Sequence, residues 1–290
     1  MNKFAFILFL LITEIVAGQA DSVQTKSMYA PVIIQSAVYA TGTFYLTQIW
    51  YAGHRRVSFH FYNDNAGWMQ VDKVSHAFIS YHVNDISYLI FKSYKYGKKQ
   101  SLLYSGITTT VFQTTIEVLD GIYEGFGFSW GDMIANTAGI AMFTTQQALW
   151  NEQRVILKFS YSPEPIADIK PGYENNNQVA RIFTDYNGQT YWASLNLKMF
   201  FKQSNLPEWL SFAIGYGANG MLKEFENPSY LPYHERYRQF YLSPDIDLVA
   251  LFKTQRKGVK ILLRFINTFK FPMPAVEINK FGTTFHWLYF

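Results

Sequence analysis

The sequence predicts an α+β chain, with an N-terminal four-helix bundle followed by a C-terminal antiparallel β-sheet or small β-barrel. Three observations carry that reading. Up to about residue 152, apolar residues recur at helical spacing between recognisable helix stops. Beyond it, apolar and polar residues alternate, as they do on strands with two unlike faces. Composition agrees with wide sheets or contact with lipid: 19 % of the residues are aromatic and only 16 % are charged, against about 25 % in an ordinary soluble domain. The expected division is 1–20 signal peptide, 21–152 helical bundle and 153–290 strand-rich part.

The start reads as a secretory signal peptide. Lys3 precedes an apolar run from Phe4 to Ile12, and small residues follow at Gly18 and Ala20. The run is shorter than the roughly 20 residues that span a bilayer. Cleavage is expected after Ala20, with a retained anchor helix as the alternative; the rest is exported in either case.

Residues 27–53 carry no charge, and Pro31 suits a helix's first turn. Gln35, Thr41, Thr43, Thr47 and Gln48 keep the stretch only moderately apolar. A buried bundle helix is expected, a transmembrane helix being the alternative. Residues 55–62 suit a short strand or loop, and Asn63 to Gly67 a turn. A second helix is expected over 68–94, stopped at Gly97, and a third over 100–119, stopped at Gly121. The fourth begins at Ser129 as N-cap with Asp132 three residues on, and runs to about 151.

About seven strands are expected, among them 155–161, 178–186, 189–201, 209–216, 238–252 and 259–271, with an aromatic terminal strand ending at Phe290. Asn187-Gly188 reads as a hairpin turn. Gly215 to Gly220 reads as a turn, since it lacks the Lys and Ser/Thr of a phosphate loop. Several segments reach the 9–11 residues of a membrane-spanning strand. The aromatic end resembles the insertion signal of outer-membrane barrel proteins, whose lipid-facing girdles would explain the aromatic excess.

The chain has no cysteine, which excludes disulfides, thiolate metal sites, a cysteine nucleophile and anchoring through an acylated cysteine. A scattered net charge of +4 gives no basis for nucleic-acid binding.

One polar constellation stands out. Asp72 and His76 lie one helical turn apart, with Ser80 on the same face. Thr110, Gln113, Glu117 and Asp120 form a stripe on the third helix, and Asp132, Asn136 and Gly139 one on the fourth. As a site, His76 is a general base or metal ligand, with Glu117, Asp120 and Asp132 as catalytic partners. His76, Glu117 and Asp120 are then the candidate ligands of a divalent metal, the one cofactor the pattern suggests, and Asp72, Lys73, Gln113 and Asn136 the surrounding network. As structure, the same residues form a hydrogen-bonded core in which Lys73 neutralises acids and Asp132 caps a helix. No HExxH, ExxH or GxSxG spacing favours catalysis. His54, His60, His82, His234 and His286 lack companions in sequence and read as surface or interface residues.

The stretches Trp68 to Phe78, Glu117 to Gly121 and Gly127 to Gly139 resemble the YfiM-like family of periplasmic lipoproteins of unknown function. More distantly they are similar to VanZ-like membrane proteins, which share DKxxH, a later acid and DxxxN with Gly. The resemblance covers roughly residues 60–145 and implies an envelope location but no reaction. The chain departs from the family in lacking a lipobox cysteine and in its long strand-rich part.

The leading expectation is a non-enzymatic accessory or scaffold component at the outer membrane. Its partners would be outer-membrane lipid and another outer-membrane protein. The rival is an enzyme acting on lipid or cell-wall material through the His/carboxylate cluster.

Overall fold

The computed structural model describes residues 29–51, 53–169, 178–231 and 234–290. The expected signal peptide, residues 1–20, lies outside these. The chain is α+β. It divides into two compact units, one of Met1–Asp64 and His76–Glu152, the other of Asn65–Ser75 and Gln153–Phe290.

The chain has four long helices, α1 (Ala30–Trp50), α2 (Val71–Ser93), α3 (Lys98–Asp120) and α4 (Trp130–Trp150), and the first unit is built from them, α2 from His76 onward. Pro31 sits in the first turn of α1, where its missing N–H costs nothing. Among the described residues no helix is long and apolar enough to cross a membrane, so the transmembrane alternative for this stretch is not supported. Instead α1 packs on the bundle: its buried Gln35 accepts from Ser87 of α2, and Tyr39 stacks on Phe112 of α3 at 4.4 Å. Gly97, expected to stop the second helix, is the N-cap of α3, while α2 already ends at Ser93. Gly121 caps α3 as expected. Ser129 caps α4, its Oγ accepting from the Asp132 N–H at 3.1 Å. Residues 55–62 form an extended loop with isolated bridges to Tyr123 and Phe128.

The core of this unit is unusually polar. Ser101, Ser105, Thr109, Gln113 and Glu117 recur every four residues along α3, and all are buried. Ser80, Asn84 and Ser87, spaced four and three residues apart, are buried along α2. Small side chains let the backbones close. A Cβ on Gly139 of α4 would stand 2.1 Å from the Ala77 carbonyl oxygen of α2.

The second unit is built on a six-stranded antiparallel meander in the order β1 to β6. The strands are β1 (Val155–Tyr161), β2 (Gln189–Asn196), β3 (Leu210–Asn219), β4 (Tyr237–Ile246), β5 (Met273–Asn279) and β6 (Gly282–Tyr289). Residues 268–270 add two hydrogen bonds to β1, Phe159 N–H to Thr268 and Lys270 N–H to Phe159. The sheet is curled, because side chains of non-adjacent strands meet inside it. Lys158 of β1 lies 2.8 Å from Asp245 of β4, and Tyr289 of β6 lies 2.9 Å from Thr190 of β2.

Several expectations for this unit are corrected. Residues 178–186 contain a helix, α5 (Gln178–Thr184), so Asn187-Gly188 turns a helix into β2 rather than joining two strands. Short helices α6 (Leu197–Phe200) and α7 (Leu248–Phe252) cut the expected strands 189–201 and 238–252. Residues 259–271 begin as helix α8 (Lys257–Ile266). Their alternation breaks at Ile261-Leu262-Leu263, whereas Val259, Leu262 and Ile266 follow the helical period. Gly215 and Gly217 lie inside β3, not in a turn. A Cβ on Gly215 would stand 2.7 Å from the Trp192 ring, so this glycine makes room for a buried indole. β5 was not foreseen, and six strands replace the expected seven.

The faces of the sheet are inverted relative to a soluble domain. On β3 and β4 the buried positions include Ser211, Ala213, Gln239, Tyr241, Ser243 and Asp245. The exposed positions between them include Phe212, Ile214, Phe240 and Leu242. Polar groups point in and hydrocarbon points out.

Residues 65–75 also pack with this unit. Trp68, Met69 and Gln70 adopt left-handed backbone, at φ 47°, 51° and 66°, a conformation that costs non-glycine residues about 1–2 kcal/mol each. Contacts hold it there. The Trp68 N–H donates to Glu224 O at 2.8 Å, Tyr216 OH to Met69 O, and Arg238 to Gln70 Oε1 at 2.6 Å.

Replacing Gly139 with Ala forces α2 and α4 apart. It should cost about 1–3 kcal/mol of stability in a denaturant titration of the full chain; an unchanged midpoint would contradict the backbone contact.

Candidate functional site

The sequence motifs converge in the helical unit on His76 of α2, Glu117 of α3, and Asp132 and Asn136 of α4. The cause is local. Polar residues one turn apart share a face on each helix, and the Gly139 contact brings α2 and α4 close enough for those faces to meet.

Asn136 is the hub. Its Oδ1 accepts from Ser80 Oγ at 2.8 Å and from Gln113 Nε2 at 3.1 Å, with His76 Nδ1 at 3.2 Å. Nδ1 also faces Glu117 Oε1 at 3.5 Å. The other ring nitrogen, Nε2, is turned toward Asp132 Oδ1 at 3.7 Å. His76 is the cluster's opening to solvent: its side chain is 20 % exposed, against 1 % for Glu117 and 6 % for Asp132.

Glu117 is fully buried. Its Oε2 accepts from the Ser129 N–H at 3.3 Å, while Oε1 has no hydrogen-bond donor. Burial pushes its carboxyl up to about 8, aided by the charges of Asp132 and Asp120 and opposed by His76 and the Ser129 N–H. Ser129 ties the site to a neighbouring loop, donating from Oγ to Asp64 at 2.6 Å.

The remaining candidates are placed elsewhere or differently. Asp120 accepts from Tyr51 OH at 2.6 Å; Asp132, not Asp120, is the second carboxylate beside His76. Thr110 is exposed and bonds back to Gly106 O, and Thr109 takes the buried position. Asp72 and Lys73 pair at 3.2 Å, and Asp72 accepts from Tyr186 OH at 2.7 Å within the strand-rich unit. His286, read as lacking a companion, pairs with Glu277 at 2.8 Å. Sequence reasoning missed Ser101, Ser105 and Thr109, although their four-residue repeat leading to Gln113 and Glu117 was the available signal.

Chemically, the cluster can hold a proton between His76 and two carboxylates. A divalent ion with bonds of about 2.1 Å would also fit between His76 Nε2 and Asp132 Oδ1. Glu117 faces the other ring nitrogen and would not ligate that same ion.

Residues 60–147 match the model of a family described as predicted periplasmic lipoprotein (DUF2279). The match covers the whole cluster, and the description is that of an exported protein of unknown activity, consistent with the periplasm or outer membrane. The 290 residues contain no cysteine, the residue that carries a lipoprotein's acyl chains. No curated protein and no solved structure matches the chain.

A carboxyl raised from 4.5 to about 8 binds more protons folded than unfolded, so its contribution to stability falls as pH rises through that window. Glu117→Gln removes the effect. Its melting temperature should gain steadily on the wild type between about pH 5 and pH 8; a pH-independent difference would mean that Glu117 is ionised throughout.

Proposed function

We propose that the protein is an exported envelope protein whose strand-rich unit sits in the outer membrane, where it acts as an accessory or scaffold component rather than as a catalyst. The observation that carries this reading is the inverted sheet. Phe212, Ile214, Phe240, Leu242 and Ile278 are exposed on the outside, while Lys158, Ser194, Ser243, Asp245 and Glu277 are buried within. In water, leaving a large apolar side chain exposed forgoes about 1.5–3 kcal/mol of burial free energy. In lipid the same arrangement is the favourable one, and it is the pattern of outer-membrane strands. The expected envelope location and the likeness of the motif stretches to YfiM-like and VanZ-like proteins accord with it. Outer-membrane lipid is the primary partner in this reading, and a second outer-membrane protein the natural recipient of a scaffold.

A second reading, an enzyme acting on lipid or cell-wall material, is favoured by one observation: His76 stands between two buried carboxylates at the only partly exposed point of the cluster. A hydrolytic activity of the purified full chain, lost in a folded His76→Ala variant, would decide for it.

Membrane placement is tested by fractionation. The wild-type chain should remain with outer membranes after alkaline carbonate washing. Phe240→Lys and Leu242→Lys put a charge on the lipid face, at about 2–4 kcal/mol near the bilayer centre, and should deplete that fraction. Recovery of the wild type in the soluble periplasm would overturn the reading.

A further inference from the structure

One end of the curled sheet differs from the rest of its surface. There β2 stops and β3 begins, Asn196 pairing with Ser211, and β4 stops opposite the start of β3, Ile246 pairing with Leu210. The segments that leave this end are the short helices α6 and α7, followed by α8. They carry apolar side chains that are exposed among the described residues. Phe201 is 61 % exposed and Phe252 60 %.

Helix α8 is the most strongly amphipathic element of the chain. Val259, Leu262 and Ile266 fall on one stripe at i, i+3 and i+7, and all three are exposed, while Leu263 is the residue that anchors the helix to the unit. Lys260 and Arg264 lie one turn apart on the opposite flank. Three cations of this end, Lys202, Arg256 and Lys260, are exposed and have no carboxylate partner among the described residues. Lys253 is different, since it pairs with Glu208 at 2.8 Å.

Exposed hydrocarbon beside unpaired cations is complementary to the boundary between acyl chains and phosphate headgroups, the environment that the outward apolar face of the same sheet also calls for. We propose that this end of the strand unit lies in the interfacial layer of a phospholipid leaflet. Val259, Leu262 and Ile266 dip into the acyl region, and Lys202, Arg256 and Lys260 bind anionic phosphate headgroups. The apolar stripe supplies attachment without regard to headgroup, and the cations supply preference for negative charge. The inference rests on the membrane placement proposed above and adds to it a lipid class and a depth.

The test is flotation of the purified full chain, diluted from detergent into vesicles of phosphatidylcholine alone or of phosphatidylcholine with phosphatidylglycerol. The wild type should bind both and prefer the anionic vesicles, with a preference that shrinks as salt is added. Each of Lys202→Gln, Arg256→Gln and Lys260→Gln should lower partition into the anionic vesicles about fivefold and leave binding to the neutral ones unchanged. Leu262→Ser with Ile266→Ser should weaken binding to both. These cationic positions are exposed, so the Gln variants keep the fold, checked by circular dichroism. Equal wild-type binding to the two vesicles would overturn the headgroup inference and leave membrane placement standing. Binding to neither would overturn both.

Discussion

A single carbonyl oxygen, Oδ1 of Asn136, joins three helices of the first unit. Ser80 and His76 reach it from α2 and Gln113 from α3, while Asn136 itself belongs to α4. Hydrogen bonds of this kind tolerate only a few tenths of an ångström of error, so the helix positions are constrained together. The missing side chain of Gly139 is what permits the approach. His76 then sits with Nδ1 toward Asn136 and Glu117 and Nε2 toward Asp132. Everything distinctive about the cluster, including the raised Glu117 carboxyl, follows from burying acids where hydrocarbon would ordinarily pack.

The strand unit uses the same device on another scaffold. Asp245, fully buried, takes Ser194 Oγ at 2.6 Å and Lys158 Nζ at 2.8 Å across the inside of the curled sheet. Lys158 is satisfied further by Ile246 O and Asn267 Oδ1. A buried ion pair adds little net stability by comparison with a packed apolar pair, but it sets which strands face one another. The interior holds polar groups beside a cluster of Trp192, Ala213, Tyr241 and Ala275, and much of the remaining hydrocarbon, such as Phe212, Ile214, Phe240 and Leu242, lies on the outer face. The aromatic excess of the composition is thus largely a surface property in this unit.

Much of this was legible in the residues. Ser129 with Asp132 marked the start of α4, Gly121 marked the end of α3, and the alternation in 155–161 and 209–216 marked strands. His76, Glu117, Asp132 and Asn136 could be named because one-turn spacing places polar residues on one face whatever the neighbours are. Choices that depend on neighbours could not be read. Thr109 and Thr110 differ by a 100° step around the helix, and only packing decides which is buried. In sequence Asp120 reads as a metal ligand and Asp132 only as a catalytic partner, and the interhelical contact that places Asp132 3.7 Å from His76 is not visible there. Residues 259–271 alternate over most of their length, and only the consecutive Ile261-Leu262-Leu263 betrays the helical period. The left-handed backbone at Trp68 to Gln70 had no sequence signal, because none of those residues is the glycine such a turn favours.

The polar core of the helical unit has a thermodynamic consequence. Exposure of apolar surface raises the heat capacity of a chain and exposure of polar surface lowers it. A bundle that buries Ser80, Asn84, Ser87, Ser101, Ser105, Thr109, Gln113 and Glu117 exposes, on opening, an unusual share of hydroxyl, amide and carboxyl groups. That polar share lowers the heat-capacity increment of unfolding relative to an all-apolar core of the same size. The same unit also buries Tyr81, Ile90, Phe91, Leu102 and Phe143, so directional bonding and hydrophobic area hold the helices together. A core of this mixed kind flattens the dependence of stability on temperature relative to an all-apolar one.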